Sequence, residues 1–118
     1  MQVNQCLINV NSSDPQRLHA FYKDVIGLPA NPDMGELALM MGTTPFLIDG
    51  HSELTGGTKE PTRFLIDMMV DDLAAEQKRL EGAGVKFIRT AGKEHWGGSI
   101  STFVDPDGNY GQLIEFKP

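Results

Sequence analysis

The residues of this 118-residue chain with the most obvious chemistry are its three histidines, an aspartate inside an apolar run and a lone tryptophan. Histidine carries protons near neutral pH, but an acid–base pair also needs an orienting partner. His19 lies off the apolar stripe of its helix and is expected in solvent. His51 stands two residues from Glu53, so a histidine–carboxylate pair at a site's rim is one reading. His95 adjoins Trp96 in a glycine-rich stretch that could cover a site, and Trp96 could stack on a planar ligand or anchor that loop on a sheet. None of the three has a partner at catalytic spacing that the sequence reveals, so no dyad is named. Asp67 says more. It sits inside the apolar run 63–70, where burying a carboxylate is costly unless it is paired. It could hold a cationic ligand group or act as a base; the plainer alternative is that it meets solvent or pairs with Arg63 on the same strand face.

Composition narrows the classes. Sixteen acidic against ten basic residues give a net charge of -6, which repels phosphate backbones and anionic lipid, so no nucleic acid or membrane partner is expected. No stretch approaches the roughly 20 apolar residues of a membrane span, and the N-terminus lacks the pattern of a leader. The single cysteine, Cys6, cannot close an internal disulfide, so a reducing cytosol is the expected setting.

The elements that must position these groups follow from local pattern. Residues 6–10 read as a strand, and Asp14-Pro15, or a competing capping box of Ser13 with Gln16, starts a helix whose Leu18, Phe21, Tyr22, Val25 and Ile26 form one stripe ended by Gly27. Residues 28–31 can be only a short edge strand, because Pro29 and Pro32 withhold donors. Strands are expected at 36–41 and 45–50, and an exposed linker over 52–61. The pattern then restarts. Residues 63–70 form a strand with Phe64, Ile66, Met68 and Val70 on one face, and Asp71-Asp72 caps a helix with Leu73, Gln77 and Leu80 inward. Strands at 85–90, 99–104 and 110–117 complete it, the last two joined by Asp105-Pro106-Asp107-Gly108-Asn109.

Matching Val10 to Val70, a shift of 60 residues, gives an internal repeat of about 1–54 and 62–118 within a single domain. Neither half could bury enough apolar surface alone, so the expected fold is α+β: two βαβββ modules forming a curved mixed sheet, with helices on its outer face and a cup on the other. Alternation puts Gln5, Leu7 and Asn9, then Leu65, Asp67 and Met69, then Tyr110, Gln112 and Ile114 on the cup wall, and turns Cys6 toward the helices.

The segment Phe21-Tyr22-Lys23-Asp24-Val25-Ile26-Gly27-Leu28, with Val70-Asp71-Asp72-Leu73, Trp96-Gly97-Gly98, the 105–109 turn and Leu113-Ile114-Glu115-Phe116, resembles the vicinal oxygen chelate superfamily. Its members include glyoxalase I, bleomycin-resistance proteins and extradiol dioxygenases. The resemblance spans nearly the whole chain and implies paired modules, a homodimer and a cavity in the sheet. It also implies where metal ligands would stand in metal-using members: at Gln5, near Asp49, at Leu65 and at Gln112. One carboxylate, two neutral amides and a leucine do not make the three or so imidazole, thiolate or carboxylate donors that a first-row metal wants, nor a calcium shell. No metal or other cofactor is expected there.

The expectation is therefore a metal-independent, bleomycin-resistance-like protein that holds a small organic ligand, cationic ones included. Its expected binding residues are Gln5, Leu7, Asn9, Asp49, Leu65, Asp67, Trp96, Tyr110 and Gln112. The alternative is a divalent-metal lyase or dioxygenase with relocated ligands drawn from His51, Asp49, Glu53 or His95.

Overall fold

A computed structural model describes residues 1–117, which divide into two compact units, the first ending at Gly57 and the second beginning at Thr58. In the first, β1 (Ile8–Asn11) leads into α1 (Pro15–Ala20), followed by β2 (Ala38–Met41) and β3 (Thr44–Asp49). The second runs β4 (Ile66–Met69), α2 (Leu73–Gly82), β5 (Phe87–Lys93), β6 (Ser99–Val104) and β7 (Tyr110–Glu115). The strand orders are β1-β3-β2 and β4-β7-β6-β5, and in both sheets the first strand lies parallel to the last. Both units are thus α+β modules of βαβββ-like plan. The first keeps only one bridge, Ala30 to Leu39, where the second has β5; Pro29 and Pro32 flank it, and neither can donate to a ladder. Among the described residues no helix is long and apolar enough to cross a membrane.

Matching caps start both helices. The Asp14 carboxylate accepts the Arg17 N–H at 3.2 Å, and that of Asp72 accepts the Ala75 N–H at 3.0 Å, each satisfying a first-turn donor left without an intrahelical partner. The first helix then changes pitch. Residues Phe21–Ile26 form a π turn, and the Gly27 N–H reaches back five residues to the Tyr22 carbonyl at 3.1 Å. That wider turn absorbs one extra residue between cap and terminating glycine compared with α2. Gly27 ends the turn at φ 95°, a left-handed conformation that glycine takes without steric cost.

The two sheets pack their helices with opposite size patterns. In the first unit Leu39 stands opposite Phe46, both fully buried, and the Phe46 ring lies 4.9 Å from that of buried Tyr22. In the second, the equivalent pair is Phe103 opposite Gly111. A Cβ on Gly111 would run into the Phe103 ring, so glycine is what lets that ring lie across the strand. Gln77, buried in the α2 stripe, is satisfied: its carbonyl accepts the Ala91 N–H at 3.1 Å and its amide donates to Glu81 at 3.2 Å.

Several local expectations need correction. Leu18 and Tyr22 of the predicted helical stripe are buried, and so are Ile66 and Met68 on β4. Phe64, expected beside them, is 83% exposed, because β7 begins only at Tyr110 and gives residue 64 no strand to lie along. Cys6 is exposed rather than turned to the helix. β1 starts later than expected since the residue next down the ladder from Phe46 is Pro45, which has no N–H to donate. The repeat is shifted by 58 residues, not 60: Ile8 and Ile66 open β1 and β4, and Asp14 and Asp72 cap the helices.

Candidate functional site

In the second unit, the sheet face turned away from α2 carries a row of polar side chains one strand apart. Asp67 on β4 pairs in register with Gln112 on β7, Gln112 with Thr102 on β6, and Thr102 with Arg89 on β5. Directly opposed residues share a face. The β6–β7 register is pinned by the turn between them. The Asp105 carboxylate accepts the N–H groups of Asp107 and Asn109 and the Asn109 side-chain amide, each at 2.9 Å.

The Gln112 amide nitrogen donates to the Thr102 hydroxyl at 3.1 Å, which fixes the amide and leaves its carbonyl oxygen without a protein donor among the described residues. Asp67 is likewise without one. Arg63, the partner weighed for it from the sequence, instead grips Glu60 at 2.8 Å, and Arg89 pairs with Glu94. Around Asp67 the face is apolar, with Leu65 and Met69 exposed and Ile114 half-buried. This surface burial pushes the Asp67 carboxyl above the usual aspartate range by penalising its charged form. Tyr110 also walls a depression of about 570 Å³ formed with residues 59–63. The Thr58 N–H holds that segment in place through the Asp107 carbonyl at 2.8 Å, and its hydroxyl bonds Asn109.

Trp96 lies on the turn between β5 and β6, its ring 5.9 Å from that of Phe116, with both residues more than 40% exposed. His95 is exposed on the same turn.

The first unit places its candidates differently. Asn9 on β1 donates to the Asp49 carboxylate at 2.7 Å, so this acid already has a partner. Gln5 and Leu7 are exposed and precede β1. The register that pairs Asp67 with Gln112 pairs Asn9 with Leu47, two residues before Asp49. His51, Glu53 and Asn11 border an open depression of about 310 Å³, but the His51 Nδ1 accepts the Glu53 N–H at 3.1 Å rather than meeting its carboxylate.

At the positions compared, the described residues do not form the donor set a first-row metal prefers. The ligand positions that the superfamily resemblance implies hold Gln5, Asp49, Leu65 and Gln112; positions related by the modules' own register hold Leu7, Leu47, Leu65 and Gln112. Among the described residues no three His, Cys, Asp or Glu side chains gather as a metal-holding group. Amides and aliphatics do not replace imidazole or carboxylate in such a shell.

Thr102 and Arg89 were missing from the sequence reading. Thr102 was within reach: a five-residue turn joining 99–104 to 110–115 sets it opposite Gln112. Arg89 was not, because β5 carries two register shifts that no local pattern announces.

Family comparison agrees with this architecture. The model of the Glyoxalase-like domain matches residues 7–114, and the chain belongs to that family. Solved structures share the fold at low identity. An antibiotic binding protein from Streptomyces sp. CB03234 is 22% identical, with 98% of each chain covered and a TM-score of 0.76. A glyoxalase/bleomycin resistance protein/dioxygenase family enzyme from Burkholderia phytofirmans PsJN is 18% identical over 94% of this chain and 97% of that one, TM-score 0.76. A lactoylglutathione lyase from Agrobacterium tumefaciens is 17% identical over 98% and 96%, TM-score 0.71. A comparison with curated proteins gives no match.

Proposed function

We propose that this protein binds a small organic molecule, cationic ones included, without a metal ion, on the far face of the second unit's sheet. The observation that carries the reading is the pairing of Asp67 with Gln112 in an apolar surround. This exposed carboxylate has aliphatic neighbours and no protein counter-charge among the described residues, and a guest that supplies one gains a charge-assisted bond. Leu65, Met69, Tyr110 and Ile114 offer the apolar contact that gives a small ligand its affinity, while the polar groups orient it. Net charge of -6 favours cations at low ionic strength. Trp96 is the candidate for stacking on a planar ligand. Gln5, Leu7, Asn9 and Asp49 are the corresponding candidates on the first unit. A homodimer in the cytosol is the setting this reading takes. That one solved neighbour is named as an antibiotic binding protein is in keeping with it.

Calorimetric titration of EDTA-dialysed protein with a panel of cationic and neutral aromatic compounds tests the reading. Binding tighter than ~1 mM, about −4 kcal/mol, is expected for at least one cation. No binding at that level across the panel, or binding that returns only with an added divalent metal, would contradict it.

A further inference from the structure

Two acceptors, not one, face the guest. The Asp67 carboxylate and the Gln112 carbonyl oxygen belong to register partners on adjacent strands, so their backbones lie about 4.8 Å apart. Thr102 takes the Gln112 amide nitrogen as its donor, and this turns the carbonyl end of that amide into the acceptor left for a ligand. No protein N–H or O–H among the described residues serves either acceptor: Arg63 is spent on Glu60 and Arg89 on Glu94. Tyr110 is the one aromatic residue on β4 and β7, and the exposed Trp96–Phe116 pair lies past the end of β7, four residues on from Gln112, so no cage of rings surrounds the two acceptors.

From this arrangement we infer that the site is selective for cations carrying at least two N–H donors on one nitrogen centre or one planar group, namely primary ammonium, amidinium or guanidinium groups, attached to an apolar body. Quaternary ammonium ions of the same size and charge are poor guests. The inference rests on the proposed metal-free capture and adds a chemical class to it. One donor goes to the Asp67 carboxylate as a charge-assisted bond and another to the Gln112 carbonyl; a quaternary centre offers neither acceptor a hydrogen bond. Thr102 takes part as a positioning residue, holding the amide in the accepting orientation.

The test is a matched series on the native, EDTA-dialysed protein: 1-naphthylmethylamine, 1-naphthylmethylguanidine, 1-naphthylmethyltrimethylammonium and the neutral 1-naphthylmethanol, titrated by calorimetry at neutral pH. The amine and the guanidine should bind at least about tenfold more tightly than the trimethylammonium ion, the loss expected when charged hydrogen bonds are left unmade. Gln112→Leu should shrink that ratio, and Thr102→Val, which frees the amide to rotate, should shrink it less. Equal affinity for the amine and the trimethylammonium ion overturns the donor-count inference while leaving metal-free capture standing. Failure of all four compounds to bind overturns both.

Discussion

Read strand by strand, the far face of the first unit's sheet carries Asn9, Leu47 and Ala38; the corresponding row in the second carries Asp67, Gln112 and Thr102 and runs on to Arg89. Apart from β5 the strand plan is shared, and the chemistry is not. In the first unit the nearby acid, Asp49, is quenched by the Asn9 amide, whereas Asp67 has no such donor among the described residues, and partial burial raises its pKa. One copy of a repeated scaffold can keep its polar groups internally satisfied while the other leaves them open for a guest. The fold does not dictate which, because side chains on the face away from the helix contribute little to the packing that holds helix and sheet together.

The helix-facing sides differ too, and there the largest effects are expected. Phe46→Ala should lose about 3–5 kcal/mol in chemical denaturation, since it empties a fully buried ring site beside Tyr22. Gly111→Ala, at the equivalent place in the second unit, should lose about 1–3 kcal/mol by overpacking against the Phe103 ring. If Gly111→Ala proves neutral, the two sheets do not divide volume in the opposed way described above.

Binding should separate the two acids next. Asp67→Asn should weaken capture of 1-naphthylmethylamine by about tenfold, the scale of one charge-assisted hydrogen bond. Asp49→Asn should weaken it less, because Asp49 already accepts from Asn9. The reverse order would move the site to the first unit.

The smallest effect is one of pH. Burial raises the Asp67 carboxyl, so the folded chain holds that proton more tightly than the unfolded chain does. Ionising it therefore costs stability: the cost is absent below the ordinary aspartate range and complete above the raised value. At neutral pH Asp67→Asn should be slightly more stable than the native protein, by about 0.5 kcal/mol or less for so accessible a group. That difference should vanish as pH falls through the carboxylate range, and amine capture should fade over the same interval. A difference that persists in acid would assign it to something other than ionisation.

How much of this was legible beforehand depends on whether a feature is local. The two helix starts and the inward Leu73, Gln77 and Leu80 of α2 are set by spacing within one turn or two, and the sequence shows them; the structure selects Asp14 over Ser13 and Asp72 over Asp71 as the caps. The alternation that leaves Gln112 on the face away from the helix is equally local. Strand ends are not local. Phe64 and Cys6 were misplaced because strand length is set by where the partner first pairs, at Gly111 for β4 and at Phe46, just past Pro45, for β1. The π turn at Phe21–Ile26 leaves the apolar stripe intact and so gives no periodic sign of itself. Of the site, Asp67 and Gln112 were each readable as residues of interest; the register pairing of the two comes only with the sheet, whereas Thr102 opposite Gln112 follows from the five-residue turn between their strands.

The central claim is that the second unit's far face takes up a guest unaided by a metal. Backbone and side-chain amide chemical shifts of EDTA-dialysed, ¹⁵N-labelled protein during titration with 1-naphthylmethylamine test it most directly. The account predicts saturating shifts centred on Asp67, Gln112 and Thr102, with the Gln112 side-chain amide among the largest. Shifts confined to Asn9, Leu47 and Asp49, or none until a divalent ion is added, would contradict it.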